Sequence, residues 1–351
     1  MELAPHQSLC LLRLSAIGDV CHAVAMVQAI QRQYPTVTIT WVIGKVEYQL
    51  LKHLPGVEFV IFDKSLGWRS YQQLRANLNG RKFDVLLHMQ VALRATVASL
   101  CIKARTRIGF DKARAKEGQW LATNQAITPQ TQPHVLDGFM GFAAAIGVKD
   151  LTPQWNIPVT AADSEFAAEH IHADDKTLII CPSASKAERN WLPERYGAIA
   201  NYASERGLRV LLCGGPSASE QQLAVQIQAN CSVKLTNLVG KTTLCQMLAL
   251  LKRATVVIAP DTGPAHMAVT QGTPVIGLYA HSNPGRTGPY LYQDLVVSVY
   301  DQVILEQHPQ GDIPWGKRAK GSDLMARISV EQVELKLAQM QVLSLQQIET
   351  I

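Results

Sequence analysis

Four short segments carry the residues whose types and spacing suit chemistry on a charged ligand. The first is Arg13-Leu14-Ser15-Ala16-Ile17-Gly18-Asp19-Val20-Cys21-His22. Gly18 permits a tight turn, Asp19 falls near the start of a following helix, and His22 comes almost one turn later. A carboxylate there either faces a ligand or caps the helix, worth about 1 kcal/mol, and His22 either joins it or packs against the helix. The second segment is Ala259-Pro260-Asp261-Thr262-Gly263-Pro264-Ala265-His266. Pro264 suits the first turn of a helix, Gly263 lets backbone approach a ligand, and the exposed N–H groups and positive dipole end suit a phosphate. Thr262 has a hydroxyl to donate, although an Asp-Thr pair is also ordinary capping chemistry.

The third segment, Cys181-Pro182-Ser183-Ala184-Ser185-Lys186-Ala187-Glu188-Arg189-Asn190-Trp191, offers two hydroxyls and two cations before an aromatic residue. Hydroxyls with a permanently charged guanidinium suit a pyrophosphate. Gly214-Gly215-Pro216 with Glu220 follows the next apolar run and is placed to line the same cleft. Each segment alone is a weak signal. Three phosphate-friendly loops in one half of the chain point to a nucleotide. The dinucleotide fingerprint G-x-G-x-x-G is missing, which argues against a nicotinamide or flavin enzyme.

Alternating strands and helices must position these loops. The runs at 9–14, 37–43, 58–62 and 83–88 read as strands, with helices at about 20–33, 47–54 and 71–78, ended by Tyr34-Pro35 and Pro55-Gly56. Residues 151–175 read as a linker with a short helix. The rhythm then restarts: strands at 177–181, 208–213, 256–259 and 274–279, helices at 193–206, 217–228, 243–254 and 263–271, and a long apolar helix over 330–348. Such alternation predicts parallel sheets covered on both faces, with ligands at the carboxyl ends of the strands.

The chain has 351 residues, 47% of them hydrophobic and 17% charged, enough for two domains each with its own core. No run of 18 apolar residues suits a membrane span and no signal-peptide pattern opens the sequence. Its seven cysteines form no C-x-x-C pair, as expected of thiols in a reducing compartment, so a cytoplasmic location is expected. The net charge is +5, and Lys103, Arg105, Arg107, Lys112, Arg114 and Lys116 cluster against only Asp111 and Glu117. That stretch is either a solvated basic loop or an attractor for an anionic partner. No nucleic-acid recognition motif accompanies it.

Arg13-x-Ser15-x-x-Gly18-Asp19-x-x-His22 resembles the amino-terminal motif of the ADP-heptose:lipopolysaccharide heptosyltransferases, glycosyltransferase family 9. Pro260-Asp261-Thr262-Gly263-Pro264-Ala265-His266 is similar to that family's donor-binding signature. Gly277-Leu278-Tyr279 followed by Asn283-Pro284 also fits, and Arg107-Ile108-Gly109-Phe110-Asp111 looks like the family's acceptor-side region. The similarity runs from about residue 9 to residue 294.

The resemblance implies an α/β, GT-B fold: two Rossmann-like doubly wound domains facing a central cleft. It divides the chain into an acceptor domain (1–160), a donor domain (174–328) and a terminal helix (329–351) that crosses back to the first domain. It implies inverting transfer of L-glycero-D-manno-heptose from its ADP conjugate to the anionic inner core of lipopolysaccharide, with no metal or other cofactor, by a peripheral protein at the inner membrane surface. Asp19 would be the catalytic base. Ser183, Ser185, Arg189, Glu220, Asp261, Thr262, Gly263, Pro264 and His266 would bind the donor, with Arg189 standing where the family usually has lysine. Gly18, His22, Arg107, Lys112, Arg114 and Lys116 would bind the acceptor. A family member using another nucleotide sugar, or a non-catalytic nucleotide-sugar or anionic-glycan binder on the same scaffold, are the alternatives.

Overall fold

Apolar runs separated by helix-length amphipathic stretches fold, in a computed structural model, into two α/β units, Met1–Pro158 and Val159–Ile351. All residues are described except 1, 5, 133, 312, 315 and 349–351, and for 341–348 only the backbone is described.

The first unit contains strands β1 (Ser8–Leu12), β2 (Thr38–Gly44), β3 (Val57–Phe62), β4 (Lys82–His88), β5 (Lys103–Gly109) and β6 (Gln125–Ala126). Its helices are α1 (Ile17–Gln33), α2 (Lys45–Leu51), α3 (Arg69–Leu78), α4 (Leu93–Leu100) and α5 (Val135–Ala145). All strand pairs are parallel, in the order β3-β2-β1-β4-β5-β6. Leu12 lies between Val42 and His88, so β1 is flanked on both sides and its apolar side chains are buried on both faces. One face packs Leu12, Val42 and Leu86 against Leu74 and Leu78 of α3 and Ala95 and Ala98 of α4. On the other, α1 packs against α5.

The second unit begins with α6 (Ala161–His170) and continues β7 (Thr177–Ile180), α7 (Pro193–Glu205), β8 (Arg209–Leu212), α8 (Ala218–Ala229) and β9 (Thr236–Asn237). Then follow α9 (Leu244–Arg253), β10 (Val256–Pro260), α10 (Gly263–Thr270), β11 (Val275–Tyr279), α11 (Pro284–Thr287), β12 (Val297–Ser298), α12 (Tyr300–Gln307) and α13 (Val330–Ile348). Its sheet, β12-β11-β10-β7-β8-β9, is again all parallel. Counted from each unit's first strand, the two orders are the same. Each sheet reverses direction between its first and fourth strands, which is where open parallel sheets bind ligands.

Most predicted elements are present within two or three residues at their ends, and the differences have physical causes. The basic stretch does not form a loop throughout: its first half is β5. The short helix expected within residues 151–175 is α6, capped by the Thr160 hydroxyl, which accepts from the Asp163 amide. The terminal helix α13 seats Val333 and Leu337 in the core of the second unit, beside Trp191 and Ile328. The side chains of residues 341–348, on which a return to the first unit would rest, lie outside the described residues. No helix among the described residues is long and apolar enough to cross a membrane.

His88, at the end of β4, is fully buried, and neither ring nitrogen has a hydrogen-bond partner among the described residues. Burial first, then the positive charges of Arg107 and Arg13, pull its pKa down to about 3. The unfolded chain takes up this proton near pH 6.5 and the folded chain does not, so stability present above pH 6.5 is lost as the pH falls toward 3. Urea unfolding at pH 7.5 and pH 5.0 should show the wild type losing about 2 kcal/mol more than His88→Leu over that interval; equal losses would contradict a buried neutral imidazole.

Candidate functional site

In the first unit the turn after β1 is braced by the end of β4. The Leu14 amide donates to Gln90 Oε1 at 2.7 Å, and Gln90 Nε2 donates to the Ser15 hydroxyl at 3.3 Å. Arg13 donates to the Met89 carbonyl at 2.5 Å and lies over the Phe139 ring, 5.2 Å from its centroid. So fixed, the Arg13 guanidinium meets Asp19 Oδ2 at 2.5 Å, and the Ala16 amide donates to the same oxygen at 3.1 Å. The approach of β2 is equally tight: the Gly44 amide donates to the Leu14 carbonyl at 2.9 Å, and a Cβ at position 44 would lie 2.3 Å from that oxygen.

This geometry refines the reading of that turn. Gly18 is a buried residue inside α1 rather than the pivot of a turn, and residues 13–16 connect β1 to α1, with a cis peptide bond between Ser15 and Ala16. Asp19 is the third residue of α1, not its cap. Its carboxylate accepts from a backbone amide at the helix start and still pairs with a guanidinium, so it is held in orientation while remaining partly exposed. His22 is buried one turn on, its ring perpendicular to that of His134 at 5.2 Å between centroids.

Two residues expected to meet an acceptor also bond inward. Arg107 lies on β5 and donates to three backbone carbonyls, Ala122 at 2.7 Å, Ile102 at 2.7 Å and Ser99 at 2.8 Å. Arg114 is buried, bonded through Nε to Asp111 Oδ2 at 2.5 Å and stacked over Phe110. Both side chains bond to internal acceptors, as Arg189 does in the second unit. Lys112 and Lys116 are exposed.

In the second unit the residues singled out converge on the carboxyl ends of neighbouring strands. Arg189, after β7, is 9% exposed, yet it reaches the turn after β10, with Nη1 donating to Asp261 Oδ2 at 3.0 Å. Its Nη2 donates to the Ser185 hydroxyl at 2.7 Å. Asp261 Oδ2 also accepts from the Ser282 hydroxyl, after β11, at 2.7 Å, and Oδ1 lies 4.0 Å from His266 Nε2. Trp191 explains why the loop can hold a buried guanidinium. Its indole is in the core, edge-on to Tyr196, and donates to the Ile328 carbonyl at 3.0 Å. Asn190 closes the loop by accepting from the Ala184 amide at 2.7 Å, near Ser183.

Thr262 occupies the cap position of α10 in an extended conformation and makes no side-chain capping bond. Capping therefore does not account for its hydroxyl. Gly263 and Pro264 form the first turn, so close backbone approach is open at the positive end of the helix. Glu220, by contrast, is turned onto its own loop: Oε2 accepts from the Gly215 amide at 2.6 Å and Oε1 from the Ser217 hydroxyl at 3.1 Å. Among the described residues no group of three or more His, Cys, Asp or Glu side chains could hold a metal ion.

Several residues of these turns carried no sequence signal. Gln90, Met89 and Ser282 lie in no motif and reach the turns only through sheet pairing. Glu47, near the start of α2, is a buried carboxyl whose pKa is raised first by that burial, with the Asp19 charge a minor contribution. Its acidic type in a helix's first turn reads as ordinary dipole chemistry, and only the fold places it beside the Asp19 turn.

Two parallel doubly wound units of the same strand order, one with a carboxylate held by Arg13 and the other with an arginine beside an uncapped helix start, fit the GT-B fold. The profile of glycosyltransferase family 9 (heptosyltransferase) matches residues 71–310, and the chain belongs to that family. It is 46% identical over 329 residues to lipopolysaccharide core heptosyltransferase OpsX of Haemophilus influenzae, covering 93% of this chain and 95% of that protein. Lipopolysaccharide heptosyltransferase 3 of Escherichia coli K12 is 20% identical, over 75% of this chain and 79% of the relative. Among solved structures, the family 9 glycosyltransferase of Veillonella parvula superposes with a TM-score of 0.81 at 21% identity, covering 97% and 99% of the two chains. E. coli heptosyltransferase WaaC with ADP gives 0.73 at 16%, covering 95% and 99%; these two likenesses establish the shared fold.

Replacing Arg107 by Ala should lower the stability of the chain by about 3 kcal/mol, since buried carbonyls lose a charged donor. Denaturant unfolding measures this. An unchanged midpoint with a raised KM for acceptor would restore Arg107 to the binding surface.

Proposed function

We propose that this glycosyltransferase moves a heptose from ADP-L-glycero-D-manno-heptose onto the inner core of lipopolysaccharide, with inversion, without a metal, at the cytoplasmic face of the membrane. The donor occupies the second unit and the acceptor the first. The observation that carries the donor half is the bare N-terminus of α10, with Arg189 held 3.0 Å from Asp261 beside it. The 46% identical relative, named a lipopolysaccharide core heptosyltransferase, supports the choice of sugar and acceptor.

The chemistry follows from charge. An acceptor hydroxyl is a poor nucleophile, and Asp19, oriented by Arg13 at 2.5 Å, accepts its proton as the new bond forms. The leaving ADP gathers negative charge on its β-phosphate. The first amides of α10, the Thr262 hydroxyl and Arg189 stabilise that charge, as a metal does in other transferases. Asp261 orients Arg189 through its ion pair and Ser282 through a hydrogen bond, and His266 lies behind it on the first turn of α10. Lys112 and Lys116 supply exposed positive charge for an anionic acceptor.

Release of ADP from ADP-heptose in the presence of a core-truncated acceptor tests the reading, with UDP and GDP sugars as competitors; preference for either competitor would reassign the donor. Asp19→Asn should lower turnover by about 10²–10⁴-fold while leaving the Kd for ADP unchanged. Undiminished turnover would remove Asp19 from the base role.

A further inference from the structure

We propose that Trp155 is a positioning residue for Asp19, anchoring the start of α1 by a hydrogen bond that does not depend on the carboxylate's charge. The inference rests on the reading of Asp19 as the base and adds what keeps that base in place while its charge changes.

The start of α1 is held by the very residue it presents. Ala16, at the cap position, makes no side-chain capping bond, and its amide donates to Asp19 Oδ2 at 3.1 Å. The same oxygen pairs with Arg13. When Asp19 accepts the acceptor's proton it becomes a neutral carboxylic acid, and both charge-assisted contacts weaken together. A helix start secured by these contacts alone would loosen at the step that depends most on its geometry.

A further anchor comes from outside the turn. Trp155 Nε1 donates at 2.9 Å to the carbonyl of Cys21, which follows Asp19 closely on α1. A backbone carbonyl has two lone pairs, so it can take the indole beside its helical bond, and the indole N–H acts only as a donor. This bond is therefore indifferent to the proton on Asp19.

Trp155 reaches Cys21 because α1 itself fixes the path of the segment that carries it. Residues 148–160 form neither helix nor strand, yet polar side chains along α1 bind their backbone. Gln33, at the end of α1, donates to the Gly147 carbonyl at 2.7 Å and accepts from the Lys149 amide at 2.8 Å. Arg32 donates to the Thr152 carbonyl at 3.1 Å. Gln28 donates to the Asn156 carbonyl at 2.8 Å and accepts from the Asn156 amide at 2.9 Å. The segment thus runs back along the helix toward its start. Ile157, buried, and Pro158, where the first unit ends, come next. The turn that bears the base is tied in this way to the segment leading into the second unit.

A double-mutant cycle of Trp155→Phe and Asp19→Asn tests the proposal, with kcat, acceptor KM, the Kd for ADP and the unfolding midpoint measured for each protein. Phenylalanine keeps an aromatic ring and removes the donor. Trp155→Phe should lower kcat about tenfold with KM and Kd unchanged, since a small misplacement of a reacting group is costly. In the Asp19→Asn background the same change should lower residual turnover by no more than about twofold, because no base is left to position. Gln33→Ala removes contacts at the far end of the same segment and should leave kcat at the wild-type value. An unchanged kcat in a folded Trp155→Phe protein overturns the proposal. So does an equal loss in both backgrounds, or a loss from Gln33→Ala as large as that from Trp155→Phe, which would reduce the segment to general stability. These outcomes leave Asp19 as the base. Wild-type turnover by Asp19→Asn overturns the base reading itself, and the positioning role falls with it.

Discussion

The arrangement of the second unit depends on one interaction, the ion pair between Arg189 and Asp261 at 3.0 Å, nearly shielded from water. Two charges placed there cost desolvation energy, and removing either one strands the other at about 3–5 kcal/mol. The pair holds together because each partner is also bonded elsewhere, Arg189 to Ser185 and Asp261 to Ser282. The consequence is functional. A guanidinium is fixed beside a bare helix start, where an incoming diphosphate would meet a fixed positive potential instead of having to organise one.

The first unit repeats the device with its polarity reversed. There the arginine is the support, anchored by the Met89 carbonyl and the Phe139 ring, and the aspartate is the partly exposed member. Both pairs sit where their sheets change direction, β1 against β4 and β7 against β10. At such a point the connections diverge to opposite faces of the sheet, which is where open parallel sheets bind ligands. Doubly wound topology thus supplies the crevice twice, and an Arg–Asp pair sets the charge in each.

Much of this was legible in the residues. Pro264 at a helix start, Gly263 before it and an apolar strand behind it specify the turn after β10 by local chemistry alone. Parallel sheets followed from strand–helix alternation. What was not legible shares a cause. Arg107 and Arg114 read as free charge because sequence shows no acceptors, yet their partners are backbone carbonyls and a carboxylate that only folding brings near. Gly18 read as a turn residue because glycine permits one, whereas it is buried in α1. Gln90, Ser282 and Glu47 escaped notice because each acts across a strand connection, and no spacing rule links residues some 20 to 90 positions apart.

The most direct measurement is calorimetric titration of ADP into the wild-type chain and into Arg189→Ala, with the unfolding midpoint of each as a control for folding. The expected result is a Kd for ADP raised about tenfold or more in the variant, as loss of one charge-assisted contact to a phosphate requires. Equal affinity in two folded proteins would contradict the assignment of the second unit's diphosphate site.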